Sequence, residues 1–234
     1  MRPYIRQLLA GRDFAKSDLI AAQMRNFVYL IGDADSRECV LVDPAWDVKG
    51  LLDVVENEGW RLTGALVTHY HPDHVGGEIF GFNIRGLAEL ISERPVKVYV
   101  NEKEAEGLLQ VTGLSKSDLV LRRGGDALEV GATKIEFLHT PGHTPGSQCF
   151  LVDSLLVSGD TLFINGCGRV DLPGGDAKEM YHSLTQVLGK LPDQTILYPG
   201  HYYSEEPFAA MGEVKQKNYV MQIRDFSSWK SLTV

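Results

Sequence analysis

The segment THYHPDH, residues 68–74, gathers three of the chain's seven histidines and one aspartate into seven positions. The preceding run GALVT reads as a short buried strand ending at Thr68. Pro72 disfavours helix at His71, because its ring crowds the residue before it. His69 and His71 therefore lie in extended or turn backbone, where an i, i+2 pair can project to one side. This differs from the helical H-E-x-x-H arrangement, whose histidines meet at i, i+4. It describes a loop at a strand end that offers several ligands to one point. A solvated turn that is rich in histidine by chance is the competing reading, so the rest of the chain has to decide.

Other apolar runs end in the same way. IEFLHTPGHTPGS sets His143 in a Gly/Pro turn, LLVSGDTLF sets Asp160 directly after a strand, and TILYPGH does the same for His201. Proline and glycine make these tight turns, from which a side chain can reach a shared cleft. Singly, a strand-end Asp is more often a turn former and a lone His a satisfied surface residue. Together, five histidines and two aspartates at strand-to-turn junctions form a donor set suited to zinc, iron or manganese. The three cysteines, Cys39, Cys149 and Cys167, have no C-x-x-C pairing and suggest free thiols, not thiolate coordination or a disulfide framework. His139 ends a strand and could support His143; His182 falls on a predicted helix and reads as exposed.

Paired strands are predicted at 26–32 and 38–43, and a helix at 47–59 with a glycine stop. After the GALVTH strand, 78–93 reads as irregular and then helical, followed by a strand at 96–100 and a helix capped by Asn101. The second half repeats this logic, with strands at 127–130, 133–139, 148–153, 155–158 and 195–199 and helices at about 177–190 and 205–216. Several strand pairs are joined too tightly for crossover helices, which disfavours a doubly wound parallel sheet. The expected fold is α/β, a four-layer αβ/βα sandwich. It forms a single domain over residues 1–234, with a short extension after residue 203.

Bulk properties narrow the partners. A 44% hydrophobic and 23% charged chain suits a globular protein, and a net charge of −8 argues against nucleic acid and anionic membrane surfaces. No apolar run approaches the ~18 residues of a membrane span. The N-terminal segment lacks a secretory signal, so the cytoplasm is expected. The partner expected is a small molecule.

THYHPDH, HTPGHTPGS, GDTLF and YPGH, in this order, resemble the metallo-β-lactamase superfamily. GDTLFINGCGR, GHTPGSQCF and the tail GHYY resemble its glyoxalase II and persulfide dioxygenase branch. The resemblance implies an αβ/βα sandwich with metals at one edge between the sheets. It implies one metal held by His69, His71 and His143, a second by Asp73, His74 and His201, and a bridge through Asp160. It also implies Arg169 as the holder of a glutathione carboxylate and Tyr203 as a hydrogen-bond donor to the thiol-derived part. Two divalent ions are expected, zinc foremost, with iron or manganese as alternatives. Cations ~3.5–4 Å apart bring a shared water to hydroxide near neutral pH and polarise a carbonyl. Asp73 would steer that hydroxide and take its proton.

The resemblance has gaps. Glyoxalase II ends in a helical domain with basic glutathione contacts, whereas only 33 residues follow His201 here; Lys215 and Lys217 are the possible replacements. GRVDLPGGD differs from the GRTDFQ type of persulfide dioxygenases. Phe80 and Phe82 read as core residues, with an apolar lid as the alternative. The function expected is a dinuclear thioester hydrolase of hydroxyacylglutathione type. The alternatives are a mononuclear iron persulfide dioxygenase using His69, His143 and Asp160, and a lactone or β-lactam hydrolase.

Overall fold

The computed structural model describes residues 3–79 and 81–233. Its first sheet begins with strands β1 (Tyr4–Leu9), β2 (Phe27–Asp33), β3 (Glu38–Val42) and β4 (Arg61–Leu66). A small hairpin, β5 (Gly77–Ile79) and β6 (Phe82–Ile84), stands apart, and β7 (Lys97–Asn101) and β8 (Leu119–Arg122) complete the sheet in the order β1-β2-β3-β4-β7-β8. The second sheet has strands β9 (Ala127–Val130), β10 (Thr133–His139), β11 (Gln148–Val152), β12 (Leu155–Gly159), β13 (Ile196–Pro199) and β14 (Ala209–Ala210), neighbouring one another in sequence order.

Side-chain alternation makes the layers. In β2, Phe27, Tyr29 and Ile31 face the second sheet and pack with Ile135, Phe137, Phe150 and Val157. Val28 and Leu30 of the same strand point outward and pack with Leu51, Val55 and Trp60. All seven residues of β2 are buried, because both faces of the sheet are covered. Helices α1 (Leu19–Met24), α2 (Val48–Asn57), α4 (Leu87–Glu93) and α5 (Ala105–Thr112) belong to the first half, along with the single turn α3 (Pro72–Val75). Against the second sheet lie α6 (Ala177–His182), α7 (Met211–Lys217), α8 (Tyr219–Gln222) and α9 (Phe226–Thr233). Met180, Leu184, Met211, Val214 and Trp229 form that outer layer with Leu156 and Leu197. The architecture is the αβ/βα sandwich.

Several local expectations fail for physical reasons. Strand β1, YIRQLL, mixes Arg and Gln into its pattern because it is an edge strand paired only to β2. Asn101 does not cap a helix. It ends β7, its Oδ1 accepts from the Lys103 amide at 3.0 Å, and α5 starts only at Ala105. Within the segment read as irregular and then helical, Gly77–Ile79 and Phe82–Ile84 pair as β5 and β6, and the predicted 205–216 helix begins at Met211, after the short β14. Phe82 is 52% exposed at the hairpin, so it is not a core residue; Phe80 lies outside the described residues.

One helix prepares the site directly. Asp176 caps α6 through the amides of Lys178 and Glu179, and the helix runs on through a π-type turn, 183–187, and a 3₁₀ turn, 188–190. Ser183 Oγ donates to the Pro141 carbonyl at 2.7 Å, and Gly142, at φ +136°, packs directly on the Met180 backbone. The turn that carries His143 is thus pinned to the outer layer.

Phe150 meets Phe137 of the neighbouring strand edge-on, ring centroids 5.3 Å apart and both fully buried, and the pair packs with Phe27, Tyr29 and Ile31 of the first sheet. Phe150→Ala should lower unfolding stability by about 3–5 kcal/mol. Urea denaturation of the two proteins measures it; a loss below ~1 kcal/mol would show that the sheets close over the gap.

Candidate metal centre

The segments after four inner strands, β4, β10, β12 and β13, carry the donors. His69 and His71 come after β4, Asp73 and His74 lie in α3, His143 follows β10, Asp160 follows β12 and His201 follows β13. His71 has the extended backbone expected before proline, φ −64° and ψ 141°, and Pro72 takes the first position of α3. That single turn brings Asp73 and His74 to the same centre, with the His74 ring centroid 4.2 Å from that of His69.

The seven donors converge. One ligand atom from each of His69, His71 and His143 lies within 4.8 Å of the others, and the same holds for Asp73, His74 and His201. Asp160 sits between the groups, with Oδ1 3.4 Å from His74 Nε2 and Oδ2 3.3 Å from His201 Nε2 and 3.8 Å from His143 Nε2. Among the described residues, His69 Nε2 and Asp160 Oδ1 are buried without a hydrogen-bond partner. Burying polar atoms unsatisfied is unfavourable. Inward-aimed, partnerless atoms in a nitrogen and oxygen donor set are what divalent cations require.

The remaining ring nitrogens are anchored. His201 Nδ1 donates to the Met24 carbonyl at 2.8 Å, and His143 Nδ1 to the Arg169 carbonyl at 2.7 Å. His74 Nδ1 donates to Asp43 at 3.0 Å, while Thr68 Oγ1 donates to the same carboxylate at 2.6 Å and accepts from His69 Nδ1. These bonds fix the tautomer and aim each Nε2 inward. His71 instead turns Nδ1 toward the centre, 2.9 Å from His143 Nε2. Asp73 accepts from Asn26 Nδ2 at 3.0 Å, and Asn26 Oδ1 accepts from Trp46 Nε1 at 3.2 Å. Asp43 and Trp46 both have left-handed backbone, φ 53° and 76°, rare for a bulky residue such as Trp and placed here beside the centre.

Sequence reasoning missed this outer layer. Asp43 and Asn26 carried the same strand-end signal as the ligands, one closing ECVLVD and the other opening NFVYLIG. Glu104 had no local signal. It is fully buried and accepts from the Tyr70 amide at 2.8 Å, Thr144 Oγ1 at 2.8 Å and the Gly146 amide at 2.6 Å, so it clamps the His71 and His143 loops together. His139 Nε2 donates to the Pro145 carbonyl at 3.0 Å and steadies the His143 loop from within. His182 is exposed on α6.

The centre floors a cleft of about 630 Å³ lined by Phe163, Leu172, Pro173, Arg169, Tyr203 and others. Tyr203 stacks on His201, centroids 4.6 Å apart. Arg169 is mostly exposed, and its guanidinium makes a double contact with Asp171 at 2.7 and 2.9 Å. The two lysines lie elsewhere: Lys215 holds the Leu191 carbonyl and Asp193, and Lys217 pairs with Glu213.

Residues 23–201 match the metallo-beta-lactamase superfamily, and the chain belongs to that family. It is 36% identical over 185 residues to a hydroxyacylglutathione hydrolase of Polaromonas sp., covering 77% of this chain and 64% of the relative. It is 34% identical over 181 residues to the human mitochondrial persulfide dioxygenase ETHE1, covering 76% and 64%. The chain therefore spans slightly under two thirds of either protein's length. The crystal structure of ETHE1 from Myxococcus xanthus superposes with a TM-score of 0.79 at 29% identity, covering 98% of this chain and 89% of that one. The chain is a metal-dependent enzyme of this superfamily. No described helix is long and apolar enough to cross a membrane.

Protonation differs between the two donor groups. Burial, reinforced by neighbouring imidazoles, drives His69 well below its ordinary value, and burial and His143 lower His71 to about 4. Burial opposes charge at His74 and His201 too, but Asp73 and Asp160 outweigh it, holding His74 up to about 9 and His201 well above the usual range. Burial likewise works against Asp73 and Asp160, yet the facing imidazoles keep both carboxyls well below theirs. A cation entering the Asp73 group must displace protons that are present at pH 7, whereas His69 and His71 are already neutral. Affinity at the Asp73 group should thus rise roughly tenfold per pH unit for each proton displaced, up to about pH 9. Calorimetric titration of metal-free protein with zinc at pH 6 and pH 8 should resolve one steep and one shallow dependence. Parallel dependences would refute the asymmetry.

If Asp160 bridges two cations and screens them from each other, Asp160→Ala should lose at least one metal equivalent as well as rate. Elemental analysis after dialysis is the readout. Two ions retained tightly would exclude a bridging role.

Proposed function

We propose that the protein is a dinuclear metal-dependent hydrolase of thioesters, with zinc as the first choice of metal. The observation that carries this reading is the completeness of both donor groups, each with three donors, with Asp160 reaching both. When bound, two divalent ions supply an activated water at neutral pH and polarise a carbonyl. His69, His71 and His143 would hold one ion and Asp73, His74 and His201 the other. A thioester suits such a site because its thiolate leaving group needs little protonation.

The chain's own groups have separable tasks. Asn26 fixes one oxygen of Asp73, so the carboxylate can orient a nucleophile. Tyr203 lies over His201, and its hydroxyl makes no hydrogen bond to another described residue, so it can donate to the departing sulfur or its neighbours. Arg169 can bind a carboxylate with its fork. Asp171 occupies that fork, and a glutathione-type carboxylate would have to displace it.

A second reading is a mononuclear iron persulfide dioxygenase, supported by the likeness to the human persulfide dioxygenase. It would use His69, His143 and Asp160 as an open facial set. That role leaves the ordered Asp73 group without a task. Metal analysis of protein purified without added metal, with thioester cleavage and persulfide-dependent oxygen uptake assayed together, discriminates. Two metals per chain with thioester cleavage supports the hydrolase; one iron with oxygen uptake overturns it.

If a substrate carboxylate sits on Arg169, Arg169→Ala should raise KM for glutathione thioesters. The rise should be no more than roughly fivefold, since the group is exposed to solvent. Asp171→Ala should lower KM for the same substrates by freeing the fork. Neutral thioesters should respond to neither change. Equal effects on charged and neutral substrates would assign Arg169 to loop support.

A further inference from the structure

The residues after the last candidate ligand do not merely trail away from the site. Asn218 is fully buried and uses its whole hydrogen-bonding capacity. Its Oδ1 accepts from the Gly166 amide at 2.9 Å and the Val220 amide at 3.2 Å, while Nδ2 donates to the Phe163 and Gly166 carbonyls, each at 3.0 Å. Residues 163–166 form a tight turn, with the Phe163 amide donating to the Gly166 carbonyl at 3.1 Å. Beyond that turn, Gly168 lies directly against the Asp160 carbonyl and the His143 ring, with no room for a side chain. The C-terminal extension is therefore bolted to the loop that walls the metal centre.

The next residue stands out. Val220 is fully buried and Asn218 is too, yet Tyr219 between them is 45% exposed and lines the cleft. Its hydroxyl end passes beside Gly166, and the hydroxyl makes no hydrogen bond to another described residue. A large aromatic ring held by a rigid backbone, open to solvent and facing a reaction cleft, gains by being covered with apolar surface. Ile79, Phe163, Leu172 and Pro173 line the same cleft and extend this apolar character.

We propose that Tyr219 is a specificity-determining residue, selecting substrates with an apolar or aromatic group beside the scissile bond. It rests on the hydrolase reading for its choice of substrates, but not for its binding test. The C-terminal extension takes part in substrate choice through this ring, although its lysines point elsewhere.

The test uses metal-loaded enzyme and two series of thioesters. One varies the acyl group from acetyl to phenylacetyl on N-acetylcysteamine; the other keeps acetyl and varies the thiol from methyl to benzyl. Tyr219→Ala should raise KM about tenfold, or ~1.4 kcal/mol, for the aromatic members of at least one series. The smallest members should change by less than about twofold, and Tyr219→Phe should restore the preference. Metal content is measured in each variant to show that the centre is intact. A uniform loss across all substrates, or none, overturns the proposal. If the unaltered enzyme cleaves no thioester, the hydrolase reading fails on its own. Tyr219 is then judged by calorimetric binding of the inert thioether S-benzyl-N-acetylcysteamine: tenfold weaker binding to Tyr219→Ala supports it, and equal or undetectable binding overturns it.

Discussion

Five imidazoles and two carboxylates in mutual contact, nearly all of them removed from water, would not assemble unaided. Burial disfavours each charge, and the inward lone pairs have no protein partner to satisfy them. The arrangement persists because charge is balanced within it and because the outer nitrogen of nearly every ring is held. Without a cation, protons on His74 and His201 offset Asp73 and Asp160. Bound cations would supply the same balance in place of those protons.

The scaffold supplies the anchors from distant parts of the chain. Asp43 ends β3 and holds both His74 and, through Thr68, His69. Met24, at the end of α1, holds His201, which also bridges to Asn26. Glu104 reaches across from the start of α5 to tie two ligand loops. Two sheets packed face to face bring these strand ends to one edge, and the Phe27, Tyr29, Phe137 and Phe150 core keeps the sheets in register. Tyr29 also sends its hydroxyl to the Pro199 carbonyl, two residues before His201, joining the core directly to a ligand loop.

Legibility in the sequence follows from how local each signal is. The ligand loops declare themselves because histidine, proline and glycine cluster where apolar runs stop, and two-residue alternation marks most strands. Strand β1 and strand β8 escape, since edge strands need bury only part of their surface and lose the clean pattern. Asn101 misleads because a residue that can cap a helix can equally turn a strand end. Glu104 is invisible for a different reason: its role is defined wholly by partners 34 to 42 residues away. Phe82 shows the converse, an apolar residue whose exposure only the hairpin geometry reveals.

The same contrast separates the chemistry from the substrate. The donors and their anchors are buried and mutually constrained, so altering one leaves an unpaired polar atom and disturbs the rest. Arg169, Tyr203 and Tyr219 stand on the rim, exposed to solvent, with few contacts that would penalise change. A scaffold divided in this way can keep one metal centre while its rim is rebuilt for another substrate. Relatives at similar identity include both a hydrolase and a dioxygenase, so the fold and its donor positions do not by themselves fix the reaction class. The donor set is held in the interior and the rim varies around it, where the loop bolted by Asn218 gives a C-terminal residue direct access to the cleft.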